Sequence, residues 1–168
     1  MNICVNKSDQ FSVMISKTGG IDMPTLYIMV GVPGAGKTTY AKNELSHAVY
    51  IGADALREQF YGKEMTLRGY RRIHRIMLKS ARKYLRQGYD VVIDCTNISV
   101  NTRKQYKSIL SRHDRIIAVY VNVPVWQALL NNRKRKRHVP MLGILFMHLR
   151  LKKPHKAEGF SDIILLYA

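Results

Sequence analysis

Gly31-Val32-Pro33-Gly34-Ala35-Gly36-Lys37-Thr38 is the stretch whose reading decides the fold. It follows the apolar run Leu26-Tyr27-Ile28-Met29-Val30 and opens the helix-like segment Thr39-Tyr40-Ala41-Lys42-Asn43-Glu44-Leu45. The pattern is a complete G-x-x-x-x-G-K-[ST] phosphate-binding loop in the strand–loop–helix setting such a loop requires. Its glycines let backbone N–H groups turn inward around phosphate oxygens, and the helix N-terminus adds partial positive charge. Gly31 to Thr38, with Thr39 just beyond, are therefore the expected nucleotide cradle. Lys37 should reach the β- and γ-phosphates, and the Thr38 hydroxyl should sit on Mg²⁺. The loop predicts a bound nucleoside triphosphate and leaves open what receives the phosphate.

Around this loop lies a chain of 168 residues, 46% of them hydrophobic. That is one globular domain with enough material for a core. Cys4 and Cys95 stand far apart without a C-x-x-C partner, which argues against a disulfide framework or a zinc site and for a reducing cytoplasmic setting. The longest apolar stretch, Ile116 to Trp126, contains Asn122 and Pro124 and is too short to span a bilayer. Residues 1–23 lack the basic start and continuous apolar core of a secretory signal, so they read as a loose extension before a domain of residues 24–168. The net charge of +17 is the second large clue. It exceeds what solubility needs and points to a polyanionic partner, nucleic acid above all.

Apolar strand candidates alternate with helical patterns at Thr25–Val30, Ala48–Ile51, Tyr89–Asp94 and Arg115–Asn122, and a fifth, Asp162–Tyr167, closes the chain. That alternation predicts a parallel α/β sheet. Ligands of such sheets gather at the C-terminal ends of the strands, so the residues just after each strand come first. Asp54 follows the second strand, with Arg57 one helical turn on. Asp54 can be a helix N-cap. The pair also suits a carboxylate accepting a proton from an attacking hydroxyl beside a cation for the acceptor's phosphate. The third strand ends in Asp94, followed by Cys95-Thr96-Asn97; a terminal Asp there fits a carboxylate that holds Mg²⁺ directly or through water. Cys95 reads as a packed small residue.

Residues 66–87 read as a long helix with Ile73, Ile76, Met77, Ala81, Tyr84 and Leu85 toward the core. Arg68, Arg71, Arg72, Arg75, Lys79, Arg82, Lys83 and Arg86 occupy the other face, with no acid between Glu64 and Asp90, which suggests a phosphate-backbone track. After the fourth strand a helix runs into Asn131-Asn132-Arg133-Lys134-Arg135-Lys136-Arg137-His138-Val139-Pro140. A basic run between two helices is where a mobile lid could deliver arginines onto a transferring γ-phosphoryl group. Pro140 can open the next helix at its first position. The remaining histidines show no metal-ligand spacing.

These elements resemble the P-loop kinase family that contains the phage polynucleotide 5′-kinase domain. The resemblance runs from about Pro24 to the C-terminus and rests on Gly31–Thr38, Asp54-x-x-Arg57, Asp94-Cys95-Thr96-Asn97, Asn132-x-x-Arg135 with Val139-Pro140, and Glu158-Gly159-Phe160. It implies a three-layer P-loop NTPase fold with a mainly five-stranded parallel sheet and a helical lid. It also implies Asp54 as general base on the acceptor hydroxyl, Arg57 on substrate phosphate, and Arg135 clamping the β/γ-phosphates; Lys37 completes the catalytic set. Many relatives carry Arg where this chain has Asn131, so the resemblance leaves a second lid cation to Arg133 or Arg137. The position of the Asp in the D-x-T-N element varies among relatives. The implied activity is an ATP- and Mg²⁺-dependent kinase acting on a nucleic-acid hydroxyl. That hydroxyl is a 5′ end or the hydroxymethyl group of a modified DNA base such as 5-hydroxymethyluracil. A small-molecule or nucleoside kinase of the same fold, and a nucleotide-gated nucleic-acid-binding ATPase, are the alternatives.

Overall fold

A computed structural model of the chain describes residues 23–61, 67–135 and 138–167. The expected extension, apart from Met23, and the lid residues Lys136 and Arg137 lie outside them, as do the side chains of Leu67 and Arg68. The Thr25–Val30 run forms β1 and is buried almost throughout. Short β-branched and aliphatic runs of this kind are what a strand covered on both faces requires. β2 (Val49–Gly52), β3 (Val91–Asp94), β4 (Arg115–Asn122) and β5 (Asp162–Tyr167) join it in a single parallel sheet of order β2-β3-β1-β4-β5. β1 pairs with β3 through Leu26↔Val91 and with β4 through Leu26↔Ile116. The order reverses around β1, and the crevice at such a reversal is the ligand-binding edge of a parallel sheet. Two apolar layers cover the faces: Ile73, Met77, Ala81 and Leu85 pack on one, and Met29, Val119, Ala128 and Ile144 fill the other.

The strand expectations at 25–30, 115–122 and 162–167 coincide with the structure, and the other two differ by one or two residues at an end. α1 (Lys37–Glu44) follows β1 after the phosphate loop, and α2 (Ala53–Tyr61) follows β2 directly. The long basic helix is α3, Leu67–Arg86. Two helical elements were not legible in the sequence: the short α4 (Val100–Lys104), continued by a 3-10 turn over Gln105–Ile109, and a 3-10 turn over Lys156–Glu158. α5 (Val125–Arg133) and α6 (Met141–Arg150) flank the basic run. Pro140 stands at the N-cap of α6, one position before that expected, with φ −53° and ψ 138°. An extended residue there ends the loop, and Met141 takes the first helical position.

Candidate active site

The phosphate loop leaves β1 at its C-terminal end and bends back on itself. Gly34 has φ +85°, and a Cβ built there would lie 2.2 Å from the Ala128 carbonyl oxygen of α5. Only glycine meets both demands. Gly36, at φ +96°, caps α1 and faces open space. Val32 and Ala35 bury their side chains in the core, and the Gly31 and Ala35 amides bond to the Thr96 and Val32 carbonyls. Those residues shape the loop. Pro33, Gly34, Gly36, Lys37, Thr38 and Thr39 line the cleft it encloses, a cavity of about 590 Å³.

Lys37 folds back so that Nζ donates to the Val32 carbonyl at 2.8 Å. Burial lowers its pKa, against the opposing pull of the Asp94 carboxylate. The Thr38 hydroxyl donates to Asp94 Oδ2 at 2.5 Å, and the Tyr50 hydroxyl donates to the same oxygen at 2.6 Å. Burial, then the Asp94 charge, raises the Tyr50 pKa far above its ordinary value, so the phenol remains a donor. The adjacency of Thr38 and Asp94 follows from topology: α1 begins at the tip of β1, and β3 is the neighbouring strand.

Across the cleft, Asp54 sits in the first turn of α2, so it is a helical residue and not the N-cap. Its Oδ1 accepts from Arg57 at 2.7 Å and its Oδ2 from Arg135 at 2.6 Å. The carboxylate is half-exposed, and Arg135 is partly so. Ion pairs of this exposure contribute about 0–1 kcal/mol to folding, so stability does not explain them. Asp54, Arg57, Asp94, Arg135, Lys37 and Thr38 all line the same cleft. The sequence set these residues apart by as many as 98 positions, and the fold brings them to one opening.

The segment expected to act as a lid is anchored at both ends. Asn132, buried, donates to the Val139 carbonyl at 2.9 Å and accepts the Val139 amide at 3.1 Å, closing the loop that carries Arg135. Asn131 donates to the Gly34 carbonyl at 3.0 Å, tying α5 to the phosphate loop. Arg133 is exposed at the end of α5 and does not line the cleft, and Arg137 lies outside the described residues.

Sequence reasoning missed Tyr50, Asn131 and the support beneath the Asp94-Cys95-Thr96-Asn97 turn. Asn97 adopts φ 46°, donates to the Met29 carbonyl at 2.8 Å and accepts from Tyr106 at 2.8 Å. Arg103, buried, forms two bonds to Glu158 at 2.8 and 2.7 Å and donates to the Asn97 carbonyl at 2.9 Å. The only hint of this tie was Glu158, an acid before Gly159 in a strongly basic chain. Cys95 is buried and lines the cleft. No cluster of three or more His, Cys, Asp or Glu suited to a metal occurs among the described residues, and no helix among them is long and apolar enough to cross a membrane.

Comparison with known proteins agrees with this fold. A chain in the structure of the Pnkp1/Rnl/Hen1 RNA repair complex is 24% identical with a TM-score of 0.68, over 81% of this chain and 46% of that one. A chain in a second structure of the Pnkp1/Rnl/Hen1 complex is 26% identical with a TM-score of 0.58, over 74% and 43%. The chain thus spans less than half the length of either. A gluconokinase from Sinorhizobium meliloti 1021 is 17% identical with a TM-score of 0.57, over 87% and 83%. The likeness common to the three is the kinase-like P-loop fold. The AAA domain family matches residues 26–154, from the first strand to beyond α6, and the chain belongs to that family.

Proposed function

We propose that the protein is an ATP-dependent kinase that transfers the γ-phosphate to a hydroxyl carried by nucleic acid. The observation that carries this reading is Asp54, a carboxylate facing the phosphate loop across the cleft and gathering arginines from α2 and from the lid segment. A nucleotide switch has no use for such a group; a phosphotransferase needs it as a base. The acceptor O–H gives its proton to Asp54 while its oxygen bonds to the γ-phosphorus. The bond from that phosphorus to the β–γ bridging oxygen breaks, and ADP leaves. Positioning and charge neutralisation supply most of the catalysis in such reactions. Lys37 serves the β/γ-phosphates together with the cradle of Gly31 to Thr39, Arg57 the acceptor phosphate, and Arg135 the transferring group once it leaves Asp54. Thr38 and Asp94 offer the hydroxyl and carboxylate oxygens that suit Mg²⁺ and would hold it. When bound, that ion offsets phosphate charge.

The charge of +17 and the exposed cations of α3 support a polyanionic acceptor. So does the likeness to chains of an RNA repair complex. Two observations favour a second reading: the likeness to the gluconokinase covers most of both chains, and the cleft has the volume of a small-molecule site. Incubation with γ-labelled ATP, Mg²⁺ and a panel of acceptors decides between them. The panel holds 5′-hydroxyl DNA and RNA, hydroxymethyluracil duplex, free nucleosides and sugar acids. Label on one of the nucleic acids is expected; label confined to the small molecules overturns the proposal.

A further inference from the structure

A second cavity, of about 360 Å³, meets the first through the contact between Tyr70 and Arg57. Tyr70 itself walls the second cavity. Arg57, which lines the first, lies over the Tyr70 ring at 5.7 Å from its centroid. A single aromatic side chain therefore partitions the two.

The chemistry of the second cavity is one-sided. Arg71 and Arg75 stand one turn apart on α3 and are exposed, and neither meets a carboxylate among the described residues. Between them His74 turns its Nε2 inward, buried and without a hydrogen-bond partner among the described residues. Thr102, its hydroxyl paired with that of Ser99 at 2.8 Å, and Gln105 line it from the facing α4 segment, and no acid among the described residues lines the space. Two arginines one turn apart, with no carboxylate partner among the described residues, are the makings of an anion site. A cavity of this size beside the acceptor end of a kinase cleft takes an anion that is part of something longer.

We propose that this cavity is a phosphodiester subsite, which holds the backbone of a single-stranded or locally opened nucleic acid next to the nucleotide being phosphorylated. The strand would pass from Asp54 and Arg57 across Tyr70 to Arg71, His74 and Arg75. The subsite rests on the nucleic-acid reading of the cleft, and goes beyond it by fixing where the strand runs.

The test is Arg71→Ala/Arg75→Ala in the full chain, with Lys79→Ala/Arg82→Ala, further along the same helix and outside the cavity, removing equal charge. Two acceptors are compared, a nucleoside monophosphate and a strand of about ten nucleotides ending in the same reactive nucleotide. The cavity variant should raise KM for the strand about tenfold, leave kcat and the KM of the monophosphate unchanged, and flatten the slope of log KM against log salt by about 1.4, the release from two phosphates of a single strand. The second variant should change the strand KM far less. Equal effects of both variants, equal effects on both acceptors, or no effect on the strand would each overturn the subsite. Anisotropy with the labelled strand gives Kd in parallel. If no acceptor is phosphorylated at all, the kinase reading fails, and the subsite stands or falls on whether Kd shows the same tenfold loss and flattened slope.

Discussion

In the proposed transfer, Asp54 concentrates the chemistry of the site in one side chain. Because it is half-exposed and its two ion pairs add little to folding, Asp54→Asn should leave the thermal midpoint within a degree or two. The amide keeps the shape of the carboxylate and loses its ability to take a proton. Phosphoryl transfer should fall by a factor of about 10² to 10⁴, with nucleotide affinity retained. Transfer at the parental rate would remove Asp54 as the base. The residue was visible in the sequence because a strand end followed by D-x-x-R is a pattern. Tyr50 was not, since it sits inside β2 and looks like any strand aromatic; only the pairing of β2 with β3 brings its hydroxyl to Asp94. Arg135 is intermediate. The basic run announced a cation in the lid, but which arginine enters the cleft is decided by how Asn132 closes the loop.

The elements show where local pattern suffices and where it fails. Strands covered on both faces reveal themselves as apolar runs, and α3 reveals itself by a clean apolar stripe against arginines and lysines. α4 is five residues long and has no stripe to read. What fixes it is the buried Arg103–Glu158 pair, whose partners lie 55 positions apart. Removing one partner of a buried pair strands the other, typically at about 3–5 kcal/mol. Burial raises the Glu158 pKa, but the bonds from Arg103 and the His155 amide outweigh it and hold the carboxyl below its ordinary value of 4.5. The stabilisation is therefore present in full above that value. It fades as pH falls and is gone once pH has passed through the lower folded-state value. The parental protein should lose thermal stability steeply on acidification through this range. Glu158→Gln should start lower at neutral pH and show a shallower acid limb; parallel limbs would mean that Glu158 does not report on the fold.

The whole molecule is polarised. Arg71, Arg72, Arg75, Lys79, Arg82, Lys83 and Arg86 are all exposed along α3. Trp126, Leu130, Met141, Leu142, Phe146 and Leu149 are exposed on α5 and α6. Binding of a nucleic acid to the basic face should weaken linearly in log Kd against log salt, each phosphate contact adding about 0.7 for a single strand or 0.9 for a duplex. A flat response in a salt titration would show that α3 touches no phosphate. The expectation of an anionic partner rests on composition alone, because charge is counted without a fold. The place proposed for the reacting hydroxyl needs the fold, since it depends on which strand ends share a crevice.

β1 sits at the centre of the sheet although it is the first strand made, and its neighbours β3 and β4 lie 65 and 90 positions later in the pairing of Leu26 with Val91 and Ile116. The phosphate loop consequently has no finished floor while the chain is being synthesised. Until β4 has emerged from the ribosome, the central strand of the sheet has no permanent partner on that side, and parallel pairings of such long range form slowly. A nascent chain halted before Arg115 should therefore carry the whole nucleotide signature and yet bind no nucleotide.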